Sequence, residues 1–415
     1  MGPGPLSRAD EATAPAPGAA AGSGPVAVPE PGARAIRFHG TGLRLWFFAR
    51  AWGLGVPALI LFTGSSARLR RIASGRGRPW PVVVGAYAVL FLGAEFLLKL
   101  PLRYYAGFVR LHEYGLSVQP FGRWLGDALK GLAVEMVGAV LLLWIPYLLM
   151  ARSPRRWWLY TGLLALPVGG FSALIAPVVV DPLFNDFGPM KDRRLEAKID
   201  ALARRAGIDG GKIYEVDKSR DTTTANAYVT GLMGTRRIVL WDTLLANLDD
   251  DEVLVVMGHE MGHYVLNHVA RGLVLSSVAT IGLLYLIHAA ANRLIRRFRG
   301  RFGFDRLSDI ASVPLVLLLG QAMILAGAPA INAFSRQMER EADRFALEIT
   351  RANRAAATGF VKLQRDNLSI PYPDPFSRLW RSTHPAIGER IEFCNHYRPW
   401  ESGEPLRYGA LFRDP

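Results

Sequence analysis

The chain has 415 residues, half of them apolar, with 20% charged residues and a net charge of +14. A mean hydropathy of +0.17 is too high for an ordinary soluble enzyme. Long apolar runs flanked by basic residues account for both numbers and argue against nucleic-acid binding. The single cysteine, Cys394, excludes an intramolecular disulfide and a cysteine-based zinc knuckle, so any metal must be held by histidine and carboxylate.

In chain order, residues 1–40 read as a disordered tail, because the first 36 or so are rich in Ala, Gly and Pro without a periodic apolar pattern. They lack the basic start and apolar core of a standard secretory signal. Four apolar spans follow within 41–180: Leu43–Gly64, Trp80–Leu100, Leu132–Met150 and Trp157–Val180. Two more, Gly272–Ala291 and Ile310–Ala333, fall within 271–333. Each is close to the ~20 residues a helix needs to cross the hydrocarbon. Tryptophans 46, 80, 144, 157 and 158 lie near span ends, as interfacial aromatics do.

The polar interval 181–270 predicts a small α+β unit. Lys191–Ala206 has helical periodicity. Ala225–Thr230 and Arg236–Trp241 read as strands joined by a turn at Gly231 and Gly234, and Lys212–Val216 as a third strand. Residues 334–415 hold a further helix, Ser335–Ile349, and then a polar, proline-containing segment. The fold class is therefore a mainly α integral membrane protein with an α+β unit carrying a small sheet.

The chemistry centres on HEMGH at 259–263, preceded by Asp249, Asp250, Asp251 and Glu252, which suit the positive end of a helix dipole. On a helix His259 and His263 project from one face and can share one zinc ion, while Glu260 can reach the attacking water without being a ligand. Glu260 is therefore the candidate general base. A histidine ten residues after the first is the third ligand in one zinc-protease class, but Val269 stands there. His268, about 140° further around a continuous helix than His263, would point away. A glutamate from FSRQMEREADRFAL can serve instead. There Glu339 and Asp343 share a face, so Glu339 could bind the metal and Asp343 could orient His259. Glu341 would face elsewhere and Glu348 is a competitor. Spacing alone leaves open a second reading, in which these acids pair with Arg336, Arg340 and Arg344 on a solvated face.

These motifs, with NAYVTGLMGTRRIVLWDTLL, IAPVVVDPLFNDFGPM and STHPAIGERI in the same order, resemble the type I CAAX prenyl protease family. HtpX-type bacterial proteases are more distant relatives. The resemblance covers about Leu100 to Leu411. It implies a helical barrel enclosing an intramembrane chamber, closed at one end by a zincin-like catalytic domain. It also implies one zinc ion on His259, His263 and Glu339, with Glu260 as base. Asp343 would be the outer partner, His384 the oxyanion donor and Arg390 an organiser of the site. Asn226 and Ala227 would bind substrate on an edge strand. Read without the family, His384 is a turn histidine before Pro385.

The expected activity is zinc endopeptidase action on extended peptides or membrane-protein segments, in contact with the lipid bilayer. A catalytically silent membrane scaffold or binding protein that retains the fold is the alternative. The chain departs from eukaryotic members in having six readable spans rather than seven, the first being the missing one. An Arg-, Ala- and Gly-rich composition suggests a GC-rich bacterial genome, so the family's named substrates are not carried over. The resemblance implies a cytosolic active site, whereas the arginine-rich segments 65–79, 151–156 and 292–307 lie on one face and would by charge alone be cytoplasmic themselves.

Overall fold

The computed structural model describes residues 24–75, 77–208, 212–230 and 237–413. Six of its helices are long and apolar enough to cross a membrane: α1 (Ala33–Phe62), α3 (Trp80–Glu113), α4 (Phe121–Arg152), α5 (Trp157–Leu183) and two later ones. A short helix, α2 (Ser65–Ser74), connects α1 to α3. In α4 and α5 only 6% of the most apolar window is buried within the protein. Leu97, Val137, Leu141, Leu163, Phe171 and Val278 all lie exposed on these helices and their later counterparts. Apolar side chains facing outward along whole helices require an apolar solvent, which identifies the lipid-facing surface.

Residues 24–40 do not follow the expectation from composition. Residues 24–32 are extended and tied to the C-terminal region: Val26 exchanges two hydrogen bonds of 2.9 Å with the Asn395 side chain, and Gln364 Nε2 donates to Pro29 O. Helix α1 then begins at Ala33. The disordered reading of 24–40 is thus corrected, because side-chain amides from another segment satisfy backbone groups that the tail could not satisfy itself. Residues 1–23 lie outside the described residues, as does the turn at 231–236.

The polar interval contains α6 (Arg193–Arg205), capped by Asp192, which accepts from Arg194 N and Leu195 N. Four strands form one sheet in the order β1 (Phe187–Gly188), β2 (Lys212–Val216), β4 (Arg237–Trp241), β3 (Ala227–Thr230). Strands β2 and β4 are parallel, and β3 pairs antiparallel with β4, Ala227 opposite Leu240, so β3 is an edge strand among the described residues. A short α7 (Asp242–Asn247) leads to α8 (Asp250–Val265). Asp249 and Glu252 form a reciprocal capping box at the start of α8, which fixes the entry of the helix that carries HEMGH.

Two long helices complete the membrane part, α9 (His268–Phe302) and α10 (Val313–Thr350). The sixth apolar span and the Ser335–Ile349 helix are one continuous element, and the divisions at 270/271 and 333/334 fall inside α9 and α10. No breaker separates Ala333 from Ser335, so the helix propagates. At 1.5 Å per residue, 38 residues reach ~57 Å, well beyond the ~30 Å hydrocarbon, and the excess carries Glu339 toward the catalytic unit. Four short helices follow: α11 (Asn353–Asp366), α12 (Pro375–Trp380), α13 (Ile387–His396) and α14 (Pro399–Ser402).

Candidate active site

Helices α8 and α10 approach each other through small residues. A Cβ on Gly262 would stand 3.1 Å from both Ala342 Cα and Phe345 Cβ, and one on Gly258 would stand 3.3 Å from Ala346 Cα. Glycines one turn apart on α8 therefore meet alanines one turn apart on α10. This close contact lays Glu339 and Asp343 beside the histidines, which occupy the next positions on α8.

His259 Nε2 lies 3.1 Å from His263 Nε2 and 3.3 Å from Glu339 Oε2, and His263 Nε2 lies 3.5 Å from Glu339 Oε1. For a tetrahedral ion with ligands at ~2.0–2.1 Å, adjacent ligand atoms stand ~3.3–3.4 Å apart. Glu339 Oε2 is buried and makes no well-directed hydrogen bond. A buried carboxylate oxygen facing two imidazole nitrogens without a proper bond is a donor set suited to a divalent metal. The set is hard and borderline in character, without thiolate, which suits zinc or a similar first-row ion.

Each histidine is held from behind. His259 Nδ1 lies 2.8 Å from Asp343 Oδ1, and Arg390 Nε donates to Asp343 Oδ2 at 2.9 Å, its guanidinium 4.1 Å from the centre of the Phe360 ring. His263 Nδ1 lies 2.9 Å from His268 Nδ1, and His268 Nε2 lies 3.1 Å from Glu341 Oε2, which also accepts from Arg271 Nη1 at 2.8 Å. The expectations for His268 and Glu341 are corrected here. Helix α8 ends at Val265 and Asn267 takes a left-handed conformation (φ 55°), so His268 restarts a new helix that folds back toward His263. Asparagine tolerates that conformation well, and it was the local signal for the break.

The other acids and bases settle the open alternative. Glu348 is fully buried and accepts from Tyr397 Oη and from the backbone of Arg407 and Tyr408, so it anchors the C-terminal segment. Arg336 Nη1 donates to the carbonyls of Arg378 and Ser382, Arg344 stacks toward Phe393 and Tyr397, and Arg340 is exposed. The acids of α10 therefore do not form a solvated face with these arginines.

Glu260 lies beside the edge strand, its Oε2 accepting from Val229 N at 3.2 Å. Trp241 N donates to Asn226 O, so alternation along β3 turns Tyr228 and Thr230 toward β4 and leaves the main-chain groups of Ala227 and Val229 on the free edge. Ala227 N is occupied locally by Asn226 Oδ1 at 3.0 Å, and Asn226 is exposed to the cavity. His384 Nε2 lies 3.3 Å from Glu339 Oε2, with Nδ1 held by Thr383 Oγ1 at 2.9 Å.

Burial pushes the Glu260 carboxyl up to about 7, with the Glu339 charge adding and His259 opposing. Burial also lowers His263 to about 3, helped by the charge on His259. On His259 burial is outweighed by the bonds to Asp343 and Glu339, which raise it to about 10. His259 and Glu260 open onto a cavity of about 1240 Å³ that is also lined by Asn226, Asp343, His384 and the α1 residues Phe38, Gly42 and Trp46.

Two family descriptions match. Residues 189–398 match peptidase family M48, and residues 34–186 match the CAAX prenyl protease N-terminal region, described as five membrane helices. Four of the apolar helices lie in or across that second interval. An uncharacterized metalloprotease of Bacillus subtilis, YhfN, is 37% identical over 82% of this chain and 81% of its own length. CAAX prenyl protease 1 of Saccharomyces cerevisiae is 29% identical, covering 74% of this chain and 71% of its own. The crystal structure of S. mikatae Ste24p superposes with a TM-score of 0.76 at 25% identity, covering 86% and 87% of the two chains. The shared fold is a membrane helical barrel with a small mixed sheet at the catalytic end. From its apolar helices to its His–His–Glu cluster, the chain belongs to the type I CAAX prenyl protease family of M48 metallopeptidases and is a membrane metalloprotease.

Proposed function

We propose that the protein is a zinc endopeptidase that hydrolyses extended peptides or exposed segments of membrane proteins, with His259, His263 and Glu339 holding the ion. The observation that carries this reading is the contact of Glu260 with Val229 N, which sets a buried carboxyl beside both the His–His–Glu cluster and a free strand edge. When bound, zinc supplies Lewis acidity that activates water and polarises a carbonyl.

The chain's own residues supply the remainder. An extended substrate adds to β3 through the main-chain groups of Ala227 and Val229, beside the exposed Asn226 side chain. Glu260 takes a proton from the attacking water and delivers it to the leaving amine, a task its position beside both the cluster and the strand edge allows. His384 donates toward the oxygen where negative charge develops. Asp343 with Arg390, and Glu341 with Arg271 through His268, fix the ring orientations of His259 and His263.

Metal analysis of the purified protein, beside peptide hydrolysis with and without a chelator, tests the reading. Stoichiometric zinc with chelator-sensitive cleavage supports it. A metal-loaded protein that cleaves no extended peptide points instead to a silent scaffold. We place the catalytic end in the cytoplasm, following the family fold and against the charge bias of the arginine-rich segments. A reporter fused after Pro415 that reads as external overturns that placement.

A further inference from the structure

Two arginines stand on the cavity wall without a carboxylate partner among the described residues. Arg110, on α3, is 7% exposed, and its Nε is buried with no hydrogen-bond partner. Its Nη2 donates to Phe38 O at 2.6 Å, and the guanidinium lies 3.8 Å from the centre of the Phe38 ring. Arg381 follows α12 directly, three residues before His384, and its Nη1 donates to Ser377 Oγ at 3.2 Å. The two side chains converge above Gly42 of α1. A Cβ there would stand 3.0 Å from Arg110 Nη2 and 3.4 Å from Arg381 Nη2. Asp374, an acid near Arg381, is engaged by His39 at 3.3 Å and by Ser377 N at 3.0 Å. Glu113, near Arg110, is exposed.

Bringing two guanidinium groups together in a partly desolvated wall is unfavourable unless an anion joins them. Arginine forks match a carboxylate in charge and geometry. Both residues line the cavity that holds Glu260 and His259, and Thr224, Asn226 and Ala227, at the start of β3, line it too.

We propose that Arg110 and Arg381 form a subsite for a carboxylate of the peptide substrate, a reading that rests on the peptidase assignment. The carboxylate is either the peptide's C-terminus or an acidic side chain, held while the scissile bond lies at Glu260. Selection for that group, rather than for apolar side chains alone, then decides which extended segments are retained in the cavity.

The test uses the full chain carrying Glu260→Gln and one fluorescein-labelled peptide in three forms: C-terminal acid, C-terminal amide, and amide with one internal Asp. Anisotropy titrations in detergent should show a carboxylate form binding about ten- to a hundredfold more tightly than the neutral amide, the range for a charge-assisted pair. The better of the two carboxylate forms identifies the source. Adding Arg381→Gln should bring the ratio close to one, and Arg381→Lys should retain part of it. Arg110→Gln also removes a bond to α1, so the partly exposed Arg381 carries the test.

Equal binding of the three forms, no binding of any, or a ratio that survives both Arg→Gln changes overturns the subsite. Cleavage of the same peptides by the unsubstituted enzyme is read separately. Equal hydrolysis of all three leaves the peptidase reading standing without the subsite. Carboxylate-selective binding with no hydrolysis at full metal loading does the reverse.

Discussion

His268 Nδ1 lies 2.9 Å from His263 Nδ1, so the imidazole after the helix break stands behind the imidazole of the HEMGH motif. If His263 binds the ion through Nε2, its Nδ1 carries the proton and donates to His268. His268 then donates from Nε2 to Glu341, whose charge Arg271 balances. Every proton in this chain has an assigned place. His259 reaches its carboxylate, Asp343, directly, so the two ligands are oriented by unequal relays.

Replacing His268 by Leu should therefore lower zinc affinity about 10- to 100-fold, while His268→Gln, which can both accept and donate, should recover much of it. Chelator competition on the purified variants measures this. Unchanged affinity in His268→Leu removes His268 from the site's support.

The contact between α8 and α10 is limited by glycine. Gly262→Val adds atoms where a Cβ alone already meets Ala342 Cα and Phe345 Cβ at 3.1 Å. The helices must separate, at a cost of about 1–3 kcal/mol, and Glu339 should move with α10. Thermal unfolding should show a lower Tm together with weaker metal retention. A variant of normal stability and full metal content would show that the approach is not tight.

Glu260→Gln keeps the shape of the side chain and removes the base. Metal content should be unchanged and turnover should fall by about 10²–10⁴, the range for general acid–base work. Near wild-type turnover would falsify the role proposed for Glu260.

His384 touches Glu339 Oε2 from outside α8. His384→Ala should lower kcat about 10²–10³-fold with a smaller effect on KM, because its hydrogen bond strengthens only as charge develops on the substrate oxygen. If KM rises while kcat holds, His384 binds ground-state substrate instead.

Much of the secondary structure followed from local pattern. The strand at Lys212–Val216 has the predicted bounds, and the helix predicted over Lys191–Ala206 runs from Arg193 to Arg205. Apolar runs identified six membrane helices but placed their ends short, since polar first and last turns carry no hydropathy signal. Helix α4 begins at Phe121, eleven residues before the apolar core at Leu132. The HEMGH spacing put two imidazoles on one helical face, because an α-helix repeats after 3.6 residues whatever surrounds it.

What periodicity could not supply was any relation between separate elements. Whether Glu339 faces the histidines or the solvent depends on the glycine–alanine contact of α8 with α10. Whether His268 serves the site depends on the left-handed Asn267, and whether Arg110 meets Arg381 depends on two segments some 270 residues apart. Composition and local helical geometry were enough for the membrane class and for a HEMGH helix with two imidazoles on one face, whereas spacing left Glu339 open among the acids of α10 and turned His268 and Glu341 away from the site. Only the tertiary structure decided which donors converge, because convergence is a property of packing between distant segments.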